Sequence, residues 1–121
     1  MSYDIHLDVK FEPLTHIDLD AEAAAVEPWF NQTLTQVNDA VVRLGVIEGD
    51  FHWHKHDVED EFFLVLEGEL HIDVEGADTV VLGRHQGYTA RGVEHRTRAP
   101  KRTVILMFEP AGVQPTGAPG R

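Results

Sequence analysis

The sequence predicts an all-β protein, folded as an antiparallel β-sandwich or barrel. Three observations carry that reading. From residue 41 onward, the runs VVRLGVI, EFFLVL, ELHIDV, TVVL and TVILMF are short and rich in β-branched and aromatic residues. Turn-forming residues separate most of them, at Glu48-Gly49-Asp50, Glu67-Gly68, Gly76-Ala77-Asp78, Gly83 and Ala99-Pro100. No long amphipathic helix interrupts the series.

The elements follow in chain order. Residues 5–11, IHLDVKF, alternate apolar and polar side chains, as a short half-buried strand does. DLDAEAAAVEPWF has an Ala-rich centre, where Asp18 or Asp20 caps one or two helical turns that Pro28 ends. In ELHIDVE, Leu70, Ile72 and Val74 face one way, and His71, Asp73 and Glu75 the other. EFFLVL and TVILMF are apolar on both faces, which places them between two sheets or against a partner. The segment from Pro110, PAGVQPTGAPGR, is dense in Pro and Gly and is expected to fray. With no internal repeat and no central linker, residues 1–121 read as one domain, with its barrel core at 41–109 and a flexible tail at 110–121.

Composition narrows the chemistry. There is no Cys, so disulfides, thiolate metal sites and cysteine nucleophiles are excluded. The formal charge of −11 disfavours nucleic acid and anionic membranes as partners. Ser2 is the sole serine, so no Ser-His-Asp triad is available, and neither a dinucleotide nor a P-loop glycine motif occurs. MSYDIHLDVKF has neither a basic leader nor an apolar core, and the expected location is cytoplasmic. The eight His residues stand out, most of them between positions 52 and 95.

In a strand, side chains at i and i+2 emerge on one face about 6.6 Å apart. His52, His54 and His56 have that spacing. Two such imidazoles can lean onto one divalent ion at about 2.1 Å from each nitrogen. Glu61, after a short polar turn, opens the neighbouring strand and is positioned to add an oxygen. A second segment, Gly87 to Arg96, contains Arg91-Gly92 as a turn, with His95 leading into a strand.

Together these segments resemble the cupin superfamily, whose first motif has the form G-x5-H-x-H-x3–4-E-x6-G and whose second is G-x5-P-x-G-x2-H-x3-N. His54-x-His56, Glu61 and Gly68 fit the first motif at every position but its leading glycine, since Gly49 lies one residue too close to His54. Gly92-x2-His95 fits the second, with Ala90 in place of Pro, Arg84 in place of the first glycine and Ala99 in place of Asn. These departures touch turn residues and a non-ligand position. The strings HWHKHDVEDEFFLVLEGEL and ARGVEHRTRA look like small single-domain bacterial cupins.

The resemblance implies a double-stranded β-helix, or jelly roll, with His54, His56, Glu61 and His95 holding one divalent metal ion. Manganese, iron, nickel, zinc and copper all suit three imidazoles and one carboxylate. It implies a small oxygen-bearing ligand, a homodimer, and either chemistry of dioxygenase or isomerase type or a non-catalytic binding, sensing or structural role. His52 and Tyr88 are the acid–base candidates for an enzyme. Glu59 and Asp60 are assigned to an exposed turn, Trp53 to packing, Phe63 and Val65 to the core, and His71 and His85 to no function. Arg84, Arg91, Arg96, Arg98, Lys101 and Arg102 are assigned to a solvated face rather than an anion site.

Overall fold

The structure, a computed structural model, describes residues 2–55, 59–113 and 115, and the backbone alone of 118–119. The described elements are β1 (Asp4–His6), α1 (Leu19–Ala24), β2 (Phe30–Val37), β3 (Ala40–Asp50), β4 (His54–Lys55), β5 (Asp60–Glu67), β6 (Leu70–Val74), β7 (Val80–Leu82), β8 (Gly87–Arg91), β9 (His95–Pro110) and β10 (Ala118–Pro119). The fold is all-β, as the sequence predicts.

One strand organises the rest. β9 pairs with β3 at Arg98, Ala99 and Thr103–Pro110, with β5 along its second half, and with β6 and β4 along its first. TVILMF is therefore part of a much longer strand, and Ala99-Pro100 does not end it. Instead the β3–β9 register slips between Ile47↔Thr103 and Gly49↔Ala99, and Pro100 sits in that slip. A bulge tolerates proline because no ladder hydrogen bond is required of its nitrogen there. The slip lets one strand serve both halves of the barrel.

After β1 and α1, the strand series resumes at Phe30, eleven residues before the run pattern signals it. β2 reads FNQTLTQV, and its polar Asn31, Gln32 and Thr33 are buried, so its composition hides its place in the sheet. A two-residue hairpin joins it to β3, with Val37 opposite Ala40 and Asn38 at φ 53°. The strand expected over 5–11 is confined to Asp4–His6, which runs parallel to β2. Asp18, one of the two expected caps, accepts a hydrogen bond from Ala21 N (3.1 Å), and α1 ends at Ala24, with Ala25 as its C-cap, rather than at Pro28.

The pleat then sorts side chains. On β3, β5 and β9, Ile47, Phe63, Val65, Ile105 and Met107 point into the barrel and meet Leu70, Ile72 and Leu82 from β6 and β7. Leu44, Val46, Val104 and Leu106 point out, where Phe11, Ile17, Leu19, Ala23 and Val26 cover them. The second apolar face of EFFLVL and TVILMF is thus covered largely by the chain's own amino-terminal segment.

Gly68 turns β5 into β6 at φ +91°, and a Cβ there would lie 2.4 Å from Thr103 Oγ1 and 2.8 Å from Arg102 O. Only glycine fits that turn. Beyond β9, Val113 is buried, Ala111 N donates to Asp39 O (3.0 Å), and β10 pairs with β4. The start of the segment assigned to the tail is therefore packed against the barrel.

Candidate metal centre

Three strand beginnings converge. β4 opens with His54, β5 with Asp60-Glu61 and β9 with His95. His54 and His95 are Cα partners in the β4–β9 ladder, with ring centroids 4.5 Å apart. Glu61, in phase with Phe63 and Val65, points inward, and its Oε1 lies 3.5 Å from His95 Nε2. All three side chains are buried. One ligand-type atom from each lies within 4.8 Å of the others.

The ring orientations are set by the backbone. The Nδ1 of His54 is 3.1 Å from His52 O, and the Nδ1 of His95 is 2.9 Å from Val93 O. Since a carbonyl only accepts, each Nδ1 carries the hydrogen in the neutral ring, which leaves Nε2 as the nitrogen with a free lone pair. A neutral imidazole whose other nitrogen donates to a carbonyl is the form that ligates metals. Two nitrogens and one carboxylate oxygen at this separation fit a divalent first-row ion after a contraction of under about 1 Å. Burial alone lowers the His95 pKa, but the Glu61 carboxylate and the Val93 carbonyl outweigh it, so the net direction is upward.

Behind Glu61 lies a second buried polar group that the sequence reading missed. Glu109 pairs with Arg43 (Nη1–Oε1 2.8 Å), both side chains being fully enclosed. Burial, with the charge of Glu61 facing it, pushes the Glu109 carboxyl well above the usual carboxylate range, against the pull of Arg43. Tyr3 is pushed up to about 12, first by burial, although the Asn31 amide that donates to its hydroxyl (3.3 Å) acts in the opposite direction. A sequence signal for the pair exists. Arg43 and Glu109 are opposite charges at inward-phase positions, within VVRLGVI and directly after TVILMF.

Beside the cluster is a cavity of about 20 Å³, lined by Tyr3, Trp29, Phe51, His54, Glu61, Phe63 and Thr97 among others. Tyr3, Trp29 and Phe51 form an aromatic group with centroids 5.4–5.6 Å apart. The sequence reading gave none of these three a role. A larger surface cleft of about 590 Å³, lined by Asp20, Ala23, Glu67, Arg84 and Arg102 among others, includes none of the three clustered residues.

The other sequence candidates are placed as follows. His56 lies outside the described residues. His52 is exposed, with its ring 5.5 Å from that of His54. Tyr88 is half-buried against the core, and the cavity lining does not include it among the described residues. Trp53 packs under the Arg96 guanidinium, 5.5 Å from the ring centroid. His71 contacts Glu69 (2.7 Å), and Phe63 and Val65 are core.

The solvated basic face requires correction at three of its six residues. Arg96 and Arg98 both bind Asp73 (2.8 Å each), Arg91 grips Asp60 through two nitrogens (2.9 Å each), and Arg102 reaches Glu67 and Ala23 O. Each of these arginines stands across a strand pair or a turn from an acid of its own chain. Arg96, Arg98 and Arg102 are half-buried intramolecular ties, whereas Arg84, Arg91 and Lys101 are exposed as expected, Arg91 with 81% of its side chain accessible beside Asp60.

No helix among the described residues is long and apolar enough to cross a membrane. The chain is 45% identical over 80 residues to the uncharacterised protein YdbB of Bacillus subtilis (strain 168), covering 65% of this chain and 71% of that one. A cupin-2 domain protein from Shewanella frigidimarina has a similar crystal structure, with TM-score 0.73 and 30% identity, over 78% of this chain and 93% of that one. The hydroquinone 1,2-dioxygenase of Sphingomonas sp. TTNP3 shares the fold at TM-score 0.70 and 18% identity, over 83% of this chain and 33% of that one. Residues 40–109 match the cupin domain family Cupin_2, and that match includes β4, β5 and the whole of the turn that presents His95. With the barrel, the motif residues and this match in agreement, the chain belongs to the cupin superfamily as a small cupin-2 domain protein.

Proposed function

We propose that this cupin holds one divalent metal ion through His54, Glu61 and His95, with His56 as the fourth ligand that its sequence motif implies. The observation that carries the reading is the buried cluster itself, with His95 Nε2 3.5 Å from Glu61 Oε1, one ligand-type atom of His54 within 4.8 Å of both, and both rings tethered through Nδ1 to backbone carbonyls. A bound ion there supplies Lewis-acid polarisation of a small oxygen-bearing ligand. Tyr3, Trp29, Phe51 and Phe63 line the cavity beside that position. The reaction class best suited is of dioxygenase or isomerase type on a small metabolite, in a cytoplasmic homodimer.

A second reading, a non-catalytic binding or structural cupin, is favoured by one feature. The cavity beside the cluster is only about 20 Å³ and mostly aromatic and aliphatic, close to the space one water requires.

Elemental analysis of tag-free protein tests the metal, with His54→Ala and His95→Ala as controls. Near-stoichiometric metal in wild type and loss in both variants is expected. Equal, trace metal in all three, with added ions binding no better to wild type, overturns the assignment. Turnover by the loaded protein separates enzyme from binder.

A further inference from the structure

We propose that Glu109, anchored by Arg43, is the positioning residue that orients Glu61 toward the metal centre. The inference rests on the metal reading above.

The strand register brings the residues together. β5 and β9 pair Phe62 with Phe108 and Phe63 with Met107, so one step further Glu61 stands opposite Glu109. Both share the inward face, Glu61 with Phe63 and Val65, Glu109 with Ile105 and Met107. Directly opposed residues on one face have Cβ atoms about 4.5–5.5 Å apart, so their carboxyl groups face each other. On the other flank of β9, Val41 pairs with Glu109 and Arg43 with Met107. Arg43 is therefore the diagonal neighbour of Glu109, and its long side chain spans the step to place Nη1 2.8 Å from Oε1.

Arg43 has little freedom. Its Nε donates to Thr33 Oγ1 (3.0 Å), Nη1 also donates to Val113 O (2.6 Å), and Nη2 donates to Ala111 O (3.3 Å). A guanidinium fixed on three sides fixes the carboxylate it grips.

Stability is a poor account of this pair. Taking two charges out of water costs about as much as their attraction returns, and apolar residues of similar size do as well or better. The pair has a different use at this position. Two carboxyl groups facing each other in a buried interior cannot both ionise without mutual repulsion, which positive charge on both outer sides offsets. Arg43 supplies it behind Glu109, and the proposed ion supplies it beyond Glu61. Glu109 then occupies the rear of the Glu61 carboxylate and leaves its other side for His54 and His95.

The experiment is a Co2+ titration, read as affinity by chelator competition and as geometry by the visible d–d absorption bands. Variants are Glu109→Gln, the double variant Arg43→Met/Glu109→Leu, and His54→Ala. Leucine at 109 alone would strand the Arg43 charge in the core, whereas the double variant removes both charges and keeps the volume. Gln keeps both contacts, its amide N–H donating to Glu61 and its carbonyl accepting from Arg43.

Removal of such an outer partner typically weakens metal binding about 10- to 100-fold, and that loss, with altered Co2+ bands, is expected of the folded double variant. Glu109→Gln is expected to bind within about threefold of wild type, with unchanged bands. A folded double variant with wild-type affinity and spectrum overturns the role of Glu109. Equal loss in Glu109→Gln overturns it too, because charge alone would then account for the effect. If wild type binds Co2+ no better than His54→Ala, the metal reading itself has failed, which is a separate result.

Discussion

His54 and His95 face each other across a ladder between the two-residue strand β4 and the first residue of β9, with ring centroids 4.5 Å apart. Each ring is tethered by its Nδ1 to a carbonyl two residues earlier in its own chain segment. The same local device is used twice, once on each strand, and Glu61 closes the set. The site is therefore assembled where three strands begin.

A ligand that binds only the folded chain stabilises it by RT ln(1 + [L]/Kd), about 2.7 kcal/mol at 100 times Kd. Metal-loaded wild type is expected to melt several degrees above the same protein treated with chelator. Glu61→Gln is expected to lose most of that difference. Calorimetric Tm values with and without chelator check it, and an identical Tm in wild type with and without metal counts against the site.

Asp73 is expected to link stability to acid pH. Its carboxylate accepts from Arg98 Nε and Nη2, from Arg96 Nε and from Thr79 Oγ1, with its side chain only 11% exposed. The Arg98 hydrogen bonds, followed by those from Thr79 and Arg96, hold its carboxyl well below the usual carboxylate range despite burial. A depressed carboxyl pKa stabilises the fold above the unfolded value of 3.8, and that contribution is lost as pH falls below it. Asp73→Asn is expected to cost about 1–3 kcal/mol at neutral pH. The gap from wild type should shrink below about pH 4, as read by urea unfolding across pH.

Tyr3 acts with the opposite sign at high pH. Its hydroxyl is pushed up from 10.0 to about 12 by burial, with Glu61 and Glu109 adding to the effect. A raised value favours the protonated folded form, so the contribution is complete below pH 10 and disappears as pH rises toward 12. Absorbance near 295 nm should show a late tyrosine ionisation that Tyr3→Phe removes. The stability advantage of wild type over Tyr3→Phe should fall between those pH values.

Gly68→Ala tests the β5–β6 turn. The added Cβ would meet Arg102 O and Thr103 Cα, both backbone, at 2.8 Å, in a positive-φ conformation. Strain and overlap together are expected to cost about 2–4 kcal/mol and to lower Tm by roughly 10 °C. Metal stoichiometry in the folded fraction should be unchanged, because Gly68 touches none of the three clustered residues. An unaltered Tm would show that the turn relaxes.

What was legible in the sequence was local. Period-2 patterning in ELHIDV and the apolar runs marked β3, β5, β6, β7 and the second half of β9, and the i, i+2 histidine spacing with Glu61 five positions beyond His56 marked the site. β2 was invisible for a physical reason. Its Asn31, Gln32 and Thr33 are buried beside Tyr3, Arg43 and other polar partners, so burial there is not written as hydrophobicity. The length of β9 was hidden likewise, since Pro100 signals a break unless a bulge receives it.

Strand parity and turn residues depend on neighbours within a few positions, so the sequence by itself determined an all-β barrel and the inward phase of His54 and Glu61. Cross-strand register depends on residues far apart in the chain. Only the tertiary structure decided that Glu61 stands opposite Glu109, that Arg43 reaches it diagonally, and that Arg96 and Arg98 meet at Asp73. A one-residue slip in the pairing of β5 with β9 would turn Glu61 away from His95 while leaving every local pattern in the sequence unchanged.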